Sequence, residues 1–98
     1  MSQLLPGSII GIVGGNSQIS SIILMAKRLG YRIYHFREED EPRVLLADKE
    51  VIARYSNKQA LSDFAMQVDT IYVLTNQIEI DTIIALSGKT RYYQSFEL

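Results

Sequence analysis

The sequence has no cysteine and no tryptophan, and among its 98 residues there are one histidine, His35, and two prolines. Without cysteine there is no disulfide framework, no thiol nucleophile and no thiolate metal site. One histidine with no thiolate partner is too small a set for an ordinary zinc centre. No apolar run reaches the roughly 18–20 residues of a membrane-spanning helix. The N-terminus also lacks the basic region and hydrophobic stretch of a secretory leader. Ten Lys plus Arg stand against eleven Asp plus Glu, a net charge of −1, whereas a nucleic-acid binder shows a basic stripe. The reading is a cytoplasmic chain with no membrane and no nucleic-acid partner.

What is present is the composition of one packed domain: 47% hydrophobic and 21% charged. Ordering a chain of this size costs on the order of 100–200 kcal/mol of conformational entropy, so nearly all its apolar residues must contribute to burial. Little surface remains for elaborate catalytic machinery.

The chain alternates between two kinds of segment. Residues Ser8 to Val13 form a β-branched run without helical period that ends at Gly14 and Gly15, the pattern of a buried strand and a tight turn. Ile19, Ile22, Ile23, Ala26 and Leu29 then mark a helical stripe, with Asn16 or Ser17 placed to cap its start and Gly30 its end. Arg32 to Phe36 reads as a second strand. Arg37 to Glu41 reads as a charged, solvated loop, and Pro42 suits the first turn of a short helix through Val44, Leu45, Leu46 and Ala47. Val51 to Ala53 reads as a third strand. Ser56 to Gln59 resembles a capping box ahead of a helix carrying Leu61, Phe64, Ala65 and Val68. Thr70 to Leu74 is a fourth strand, Asn76 caps a helix with Ile80, Ile83 and Ile84 that ends at Gly88, and Thr90 to Tyr93 is a fifth strand.

Strands alternating with helices imply an α/β fold. The expectation is a Rossmann-like, doubly wound parallel sheet of five strands in the order 3-2-1-4-5, forming a single domain over residues 1–98. In such a sheet ligands bind beyond the carboxyl ends of the strands where the order reverses, here between the first and fourth strands. The flanking loops carry Gly14, Gly15, Asn16, Ser17 and Gln18 on one side and Thr75, Asn76 and Gln77 on the other. These eight are the candidate ligand-binding residues. Gly14 and Gly15 ahead of a helix bring N–H groups toward an anion, and the rest are neutral hydrogen-bonding groups. None is a strong general acid, base, nucleophile or metal ligand, so no catalytic residue and no metal site is assigned. The loops suit a small polar or phosphorylated molecule.

Plainer readings stand beside these. The two glycines also serve simply to close a strand–helix turn, and the Asn and Ser residues to cap a helix. His35 beside Phe36 reads as a packed or edge histidine, and Tyr92 and Tyr93 as ordinary strand residues. A dinucleotide fingerprint would need G-x-G-x-x-G, but those places hold Gly14, Asn16 and Ile19. Arg37 could meet a 2′-phosphate, yet Ile19 hinders close helix–strand packing, and nicotinamide binding ranks last.

Pro6, Gly7, Gly11, Gly14 and Gly15, followed by the block Ala26 to Tyr31, resemble the N-terminal, pre-ATP-grasp domain of the 5-(carboxyamino)imidazole ribonucleotide synthase family. That enzyme is the ATPase subunit of phosphoribosylaminoimidazole carboxylase. The family opens with a proline-glycine pair, then G-I-I-G-G-G-Q-L-G-R-M, then A-A-K-x-L-G-Y. Ala47, Asp48, Ile52, Ala53, Tyr55, Ala60, Leu61, Val68 and Asp69 continue the match, which runs from Leu5 to about Gln94. The resemblance implies a cytosolic ligase of purine biosynthesis that joins bicarbonate to the amine of 5-aminoimidazole ribonucleotide through a carboxyphosphate intermediate. It also implies that ATP and magnesium belong to later domains of the parent. The expectations that follow are a substrate-binding domain, inactive alone and with no cofactor of its own, that works with the ATP-grasp domains of a longer chain and can form a homodimer through surface meant for those domains.

The departures fall in the loops. The family's G-G-G-Q-L-G becomes Gly14, Gly15, Asn16, Ser17, Gln18 and Ile19; the acid usual after the second strand becomes Arg37; E-F-E-N after the fourth becomes Leu74, Thr75, Asn76 and Gln77. Those losses keep open the alternative of a stand-alone, non-catalytic binding or regulatory module on the same scaffold.

Overall fold

The computed structural model describes residues 7–15, 19–41, 46–75, 77, 78, 82 and 92–95. Strand β1 (Ile9–Gly14) is followed by helix α1 (Ile19–Arg28), strand β2 (Arg32–Arg37), strand β3 (Lys49–Ile52), helix α2 (Lys58–Gln67) and strand β4 (Thr70–Leu74). The four strands form a parallel sheet in the order β3-β2-β1-β4. The backbone of β5 (Tyr92–Ser95) runs parallel to β4 along its outer side.

The two faces of β1 separate because side chains alternate along a strand. Ile10 and Ile12 join Ile33 of β2 against Ile19 and Ile23 of α1. Val13 faces the other way and joins Phe36, Ile71 and Val73 against Leu61, Phe64 and Ala65 of α2. Gly11 lies on that second face, where a methyl group would come within 2.9 Å of Phe64 Cε2 and of both Val68 methyls. Helix α2 therefore rests on the bare backbone of β1.

The helix ends follow their sequence signals. Gly30 has φ +94°, with Tyr31 N–H bonded to Ala26 O and Gly30 N–H to Lys27 O, the Schellman closure that a glycine permits. Helix α2 is capped by Asn57, whose side-chain oxygen accepts the Ala60 N–H at 3.0 Å. The capping box read over Ser56 to Gln59 is thus replaced by a single asparagine cap, while the Gln59 amide donates to Asp63.

Two aspartates fix strand register. Asp69 accepts the Ile9 N–H at 2.7 Å while its own N–H bonds Ile9 O. Asp48 does the same for Ile33, accepting its N–H at 2.8 Å and donating to its carbonyl. This capture of Asp48 starts β3 at Lys49, earlier than the expected Val51, and leaves Ala53 beyond its end. Leu46 and Ala47 lie outside any helix, and Val44 and Leu45 of the short helix expected there fall outside the described residues, as do Ile80, Ile83 and Ile84 of the last expected helix. The fifth strand begins at Tyr92 and extends to Ser95, two residues past its expected end.

Candidate functional site

At the carboxyl ends of β1 and β4 the chain leaves the sheet on both sides of the order reversal. Gly14 has φ +80° and Gly15 φ +114°, in the left-handed region that side-chain-bearing residues avoid. Space is as limiting as backbone angle. A methyl on Gly14 would lie 2.9 Å from Thr75 Cβ and 3.1 Å from the Tyr55 hydroxyl, and one on Gly15 would lie 2.6 Å from Ile19 Cδ1. The structure thus brings Gly14 and Thr75 together across the crevice. Thr75 Oγ1 accepts the Gln77 N–H at 3.2 Å, a local turn that shapes the second loop. Asn16, Ser17, Gln18 and Asn76 lie outside the described residues.

His35 supplies a feature that the sequence alone did not single out as part of this crevice. It is 3% exposed, and its Nε2 stands 2.9 Å from Gly14 O. A carbonyl only accepts, so Nε2 carries the proton and Nδ1 is the bare nitrogen; Nδ1 has no hydrogen-bond partner among the described residues. Burial pushes the imidazole below its usual pKa of 6.5; the bond to Gly14 and the charge of Glu50 oppose this, Arg37 adds to it, and Glu41 opposes it.

The loop after β2 departs from the solvated stretch read from its charges. Arg37 donates through Nε and Nη2 to the two Glu50 oxygens at 3.0 and 3.1 Å. Its Nη1 donates to the carbonyls of Glu38, Glu39 and Glu41. The bidentate bond to Glu50 raises the guanidinium pKa. With its fork so occupied, Arg37 is an anchor that curls the loop around itself and is not a free cation for a 2′-phosphate. Glu38 then accepts the Tyr55 N–H at 2.9 Å, and Glu41 accepts both the Glu38 N–H and the Tyr55 hydroxyl. Tyr55 stacks on Phe36 with ring centroids 6.1 Å apart, and burial, followed by Glu41, pushes its phenol pKa strongly upward. The glycine turn is therefore bracketed by His35 and by Tyr55. The partnership of Arg37 with Glu50 depends on the register of β2 against β3, a long-range pairing for which local sequence gives no signal.

Two hollows adjoin this region. An apolar groove of about 360 Å³ runs between α1 and β4, lined by Ile22, Met25, Leu29, Tyr72 and Leu74 among others. A more polar hollow of about 440 Å³ lies between the acidic loop and Ile52, Ala53 and Arg54. Among the described residues no group of three or more His, Asp or Glu converges as a metal site would. The described crevice residues Gly14, Gly15, Thr75 and Gln77 offer no carboxylate to a metal-bound nucleotide. No helix among the described residues is long and apolar enough to cross a membrane.

A parallel α/β sheet whose strand order reverses at a glycine turn is the architecture in which ligands bind beyond the carboxyl ends of the strands. Residues 8–95 match the family described as the ribonucleotide synthetase preATP-grasp domain, and the chain belongs to that family. The N5-carboxyaminoimidazole ribonucleotide synthase of Bacillus subtilis is 30% identical over 94 residues, covering 95% of this chain and 25% of that protein. The bifunctional purine synthesis protein purC/E of Dictyostelium discoideum is 33% identical over 89 residues, 90% of this chain and 9% of that protein. The crystal structure of N5-carboxyaminoimidazole synthetase from Staphylococcus aureus superposes with a TM-score of 0.81 at 26% identity, over 91% of this chain and 24% of that one. The chain thus spans a quarter or less of the length of these relatives, and the family resemblance read from its glycines and the Ala26 to Tyr31 block holds.

Proposed function

We propose that this chain is the ribonucleotide-binding, pre-ATP-grasp domain of a ligase of the N5-carboxyaminoimidazole ribonucleotide synthase type, acting in purine biosynthesis in the cytoplasm. The observation that carries this reading is the family match over residues 8–95, in a chain whose Gly14 and Thr75 meet at the mouth of the sheet. The substrate is 5-aminoimidazole ribonucleotide, with its phosphate toward the glycine turn and the polar groups of Gly14, Gly15, Asn16, Ser17, Gln18, Thr75, Asn76 and Gln77 around it. Carboxylation by ATP and bicarbonate takes place in ATP-grasp domains, which hold the nucleotide and magnesium. The domain alone has no turnover. Its complete architecture is the five-stranded, Rossmann-like, doubly wound sheet in the order 3-2-1-4-5.

The exposed stripe of Ile22, Met25 and Leu29 along the apolar groove supports contact with the ATP-grasp domains, and in their absence pairing of two copies. Titrating the isotope-labelled chain with 5-aminoimidazole ribonucleotide tests the reading. Saturable amide shifts confined to residues 14–18 and 75–77 are expected. A folded chain with no shifts there would leave the alternative, a non-catalytic module that kept the scaffold and lost the ligand. That alternative draws on Arg37 and on the Leu74 to Gln77 stretch, where the family's acids are absent.

A further inference from the structure

Even-numbered carbonyls of β1 face β2 and odd-numbered ones face β4: Ser8 O accepts from Arg32 N–H, and Ile9 O from Asp69 N–H. Gly14 follows that parity, and its carbonyl meets the His35 imidazole from β2. No peptide in the described chain is cis, and in a trans peptide the C=O and the following N–H point in opposite directions. The N–H of Gly15 therefore points away from the His35 imidazole, out of the β1–β2 pairing. A hydrogen bond donated to a carbonyl polarises its peptide and makes the N–H on the other side a better donor.

We propose that His35 is the positioning residue of the glycine turn: its Nε2–H on Gly14 O fixes and polarises the Gly14–Gly15 peptide so that the Gly15 N–H is presented to the phosphate of the ribonucleotide. The proposal rests on the substrate reading above and adds to it a residue that never touches the ligand. A buried imidazole is suited to this task. It is 3% exposed, so water does not compete for its proton, and its ring is rigid. The bond also explains why a buried polar side chain sits beside Ile12 on the face where Ile10, Ile19, Ile23 and Ile33 cluster.

The test uses the whole chain as wild type, His35→Gln and His35→Leu, with 5-aminoimidazole ribonucleotide and, separately, inorganic phosphate as probes. Glutamine can place an amide N–H near the position of Nε2; leucine cannot donate. His35→Leu is expected to weaken ribonucleotide binding about three- to tenfold, the worth of one neutral hydrogen bond, and His35→Gln to recover most of that. In the ligand-free spectra the Gly15 amide proton is expected to move upfield in His35→Leu and return in His35→Gln, while the remote Gly30 amide stays fixed. A purely structural role would not produce that selective shift. A folded His35→Leu that binds within twofold of wild type, with its Gly15 amide unmoved, overturns the proposal. Should His35→Leu fail to fold, the imidazole ¹⁵N spectrum of the wild type decides: a protonated Nε2 and bare Nδ1 support the proposal, and the reverse tautomer overturns it. If the wild type binds no ribonucleotide, the substrate reading falls. The Gly15 shifts and the phosphate titration still judge His35 on their own.

Discussion

Asp48 holds the Ile33 N–H with one carboxylate oxygen and the Lys27 ammonium with the other, each at 2.8 Å. One residue thus sets the register of β3 and ties helix α1 to the sheet. Replacement by alanine leaves the Ile33 N–H without its acceptor and is expected to cost about 1–2 kcal/mol. Asparagine retains an acceptor oxygen and should cost less. The Lys27 bond, followed by the Ile33 N–H, holds the Asp48 pKa below its usual 3.8. A carboxylate depressed in the folded state stabilises above its unfolded pKa and loses that contribution as pH falls through its folded value. The gap between wild type and Asp48→Asn in denaturant midpoint should therefore be full at pH 7 and close below about pH 3.8. The Lys27 share stays small because both side chains are about a third exposed.

Gly11 offers a sharper steric test. A methyl there would lie 2.9 Å from Phe64 Cε2 and from both Val68 methyls, and neither neighbour can retreat without disturbing the cluster of Phe36, Ile71 and Val73. Gly11→Ala should destabilise by about 1–3 kcal/mol through overpacking. Urea unfolding should show a lower midpoint with an unchanged slope.

How far the sequence carries can be judged residue by residue. The β-branched run of β1, the stripe of α1 and the Gly30 stop are local signals, and each element formed where its pattern placed it. The meeting of Gly14 and Thr75 was legible too, because the strand order follows from the alternation of strands and helices and the crevice follows from the strand order. The acidic loop was not legible. Its charges suggest solvation, but Arg37 collects three of its carbonyls and Glu50 fixes Arg37, a partnership between strands that no local pattern announces. The start of β3 escaped for the same reason, since Asp48 acts through a bond to Ile33 fifteen positions away. His35 reads from the sequence as a packed or edge histidine, and its bond to Gly14 depends on how β2 aligns with β1.

Tyr55 joins the acidic loop to the glycine turn. Its phenol donates to Glu41, and burial and that carboxylate both keep it protonated far above the usual range. Of the six tyrosines, at least one should therefore give no phenolate absorbance at alkaline pH until the protein unfolds, and Tyr55→Phe should abolish that hidden fraction. The same substitution removes a hydrogen bond to a charged acceptor and should cost about 1.5–3 kcal/mol. Amide-exchange protection at Tyr55 and Glu38 should fall with it, since the loop then loses the phenol that pins Glu41.

His35 is expected to make the fold less stable in mild acid. Burial is the largest influence on the imidazole and lowers its folded pKa beneath the 6.5 of an unfolded histidine. Between those two values the unfolded chain binds the proton and the folded chain does not, so stability rises with pH across that window. The contribution is complete above about pH 6.5 and shrinks as pH falls toward the folded pKa. Protonation would place a second N–H, on Nδ1, in a buried position with no acceptor among the described residues, close to the positive charge of Arg37 and partly offset by Glu50 and Glu41. Urea midpoints taken from pH 7.5 down to pH 5 should therefore decline for the wild type. The decline should flatten in His35→Gln, whose side chain does not titrate. An equal slope in the two proteins would mean that the acid sensitivity of this range belongs to other groups and that the imidazole is no more buried in solution than on an open surface.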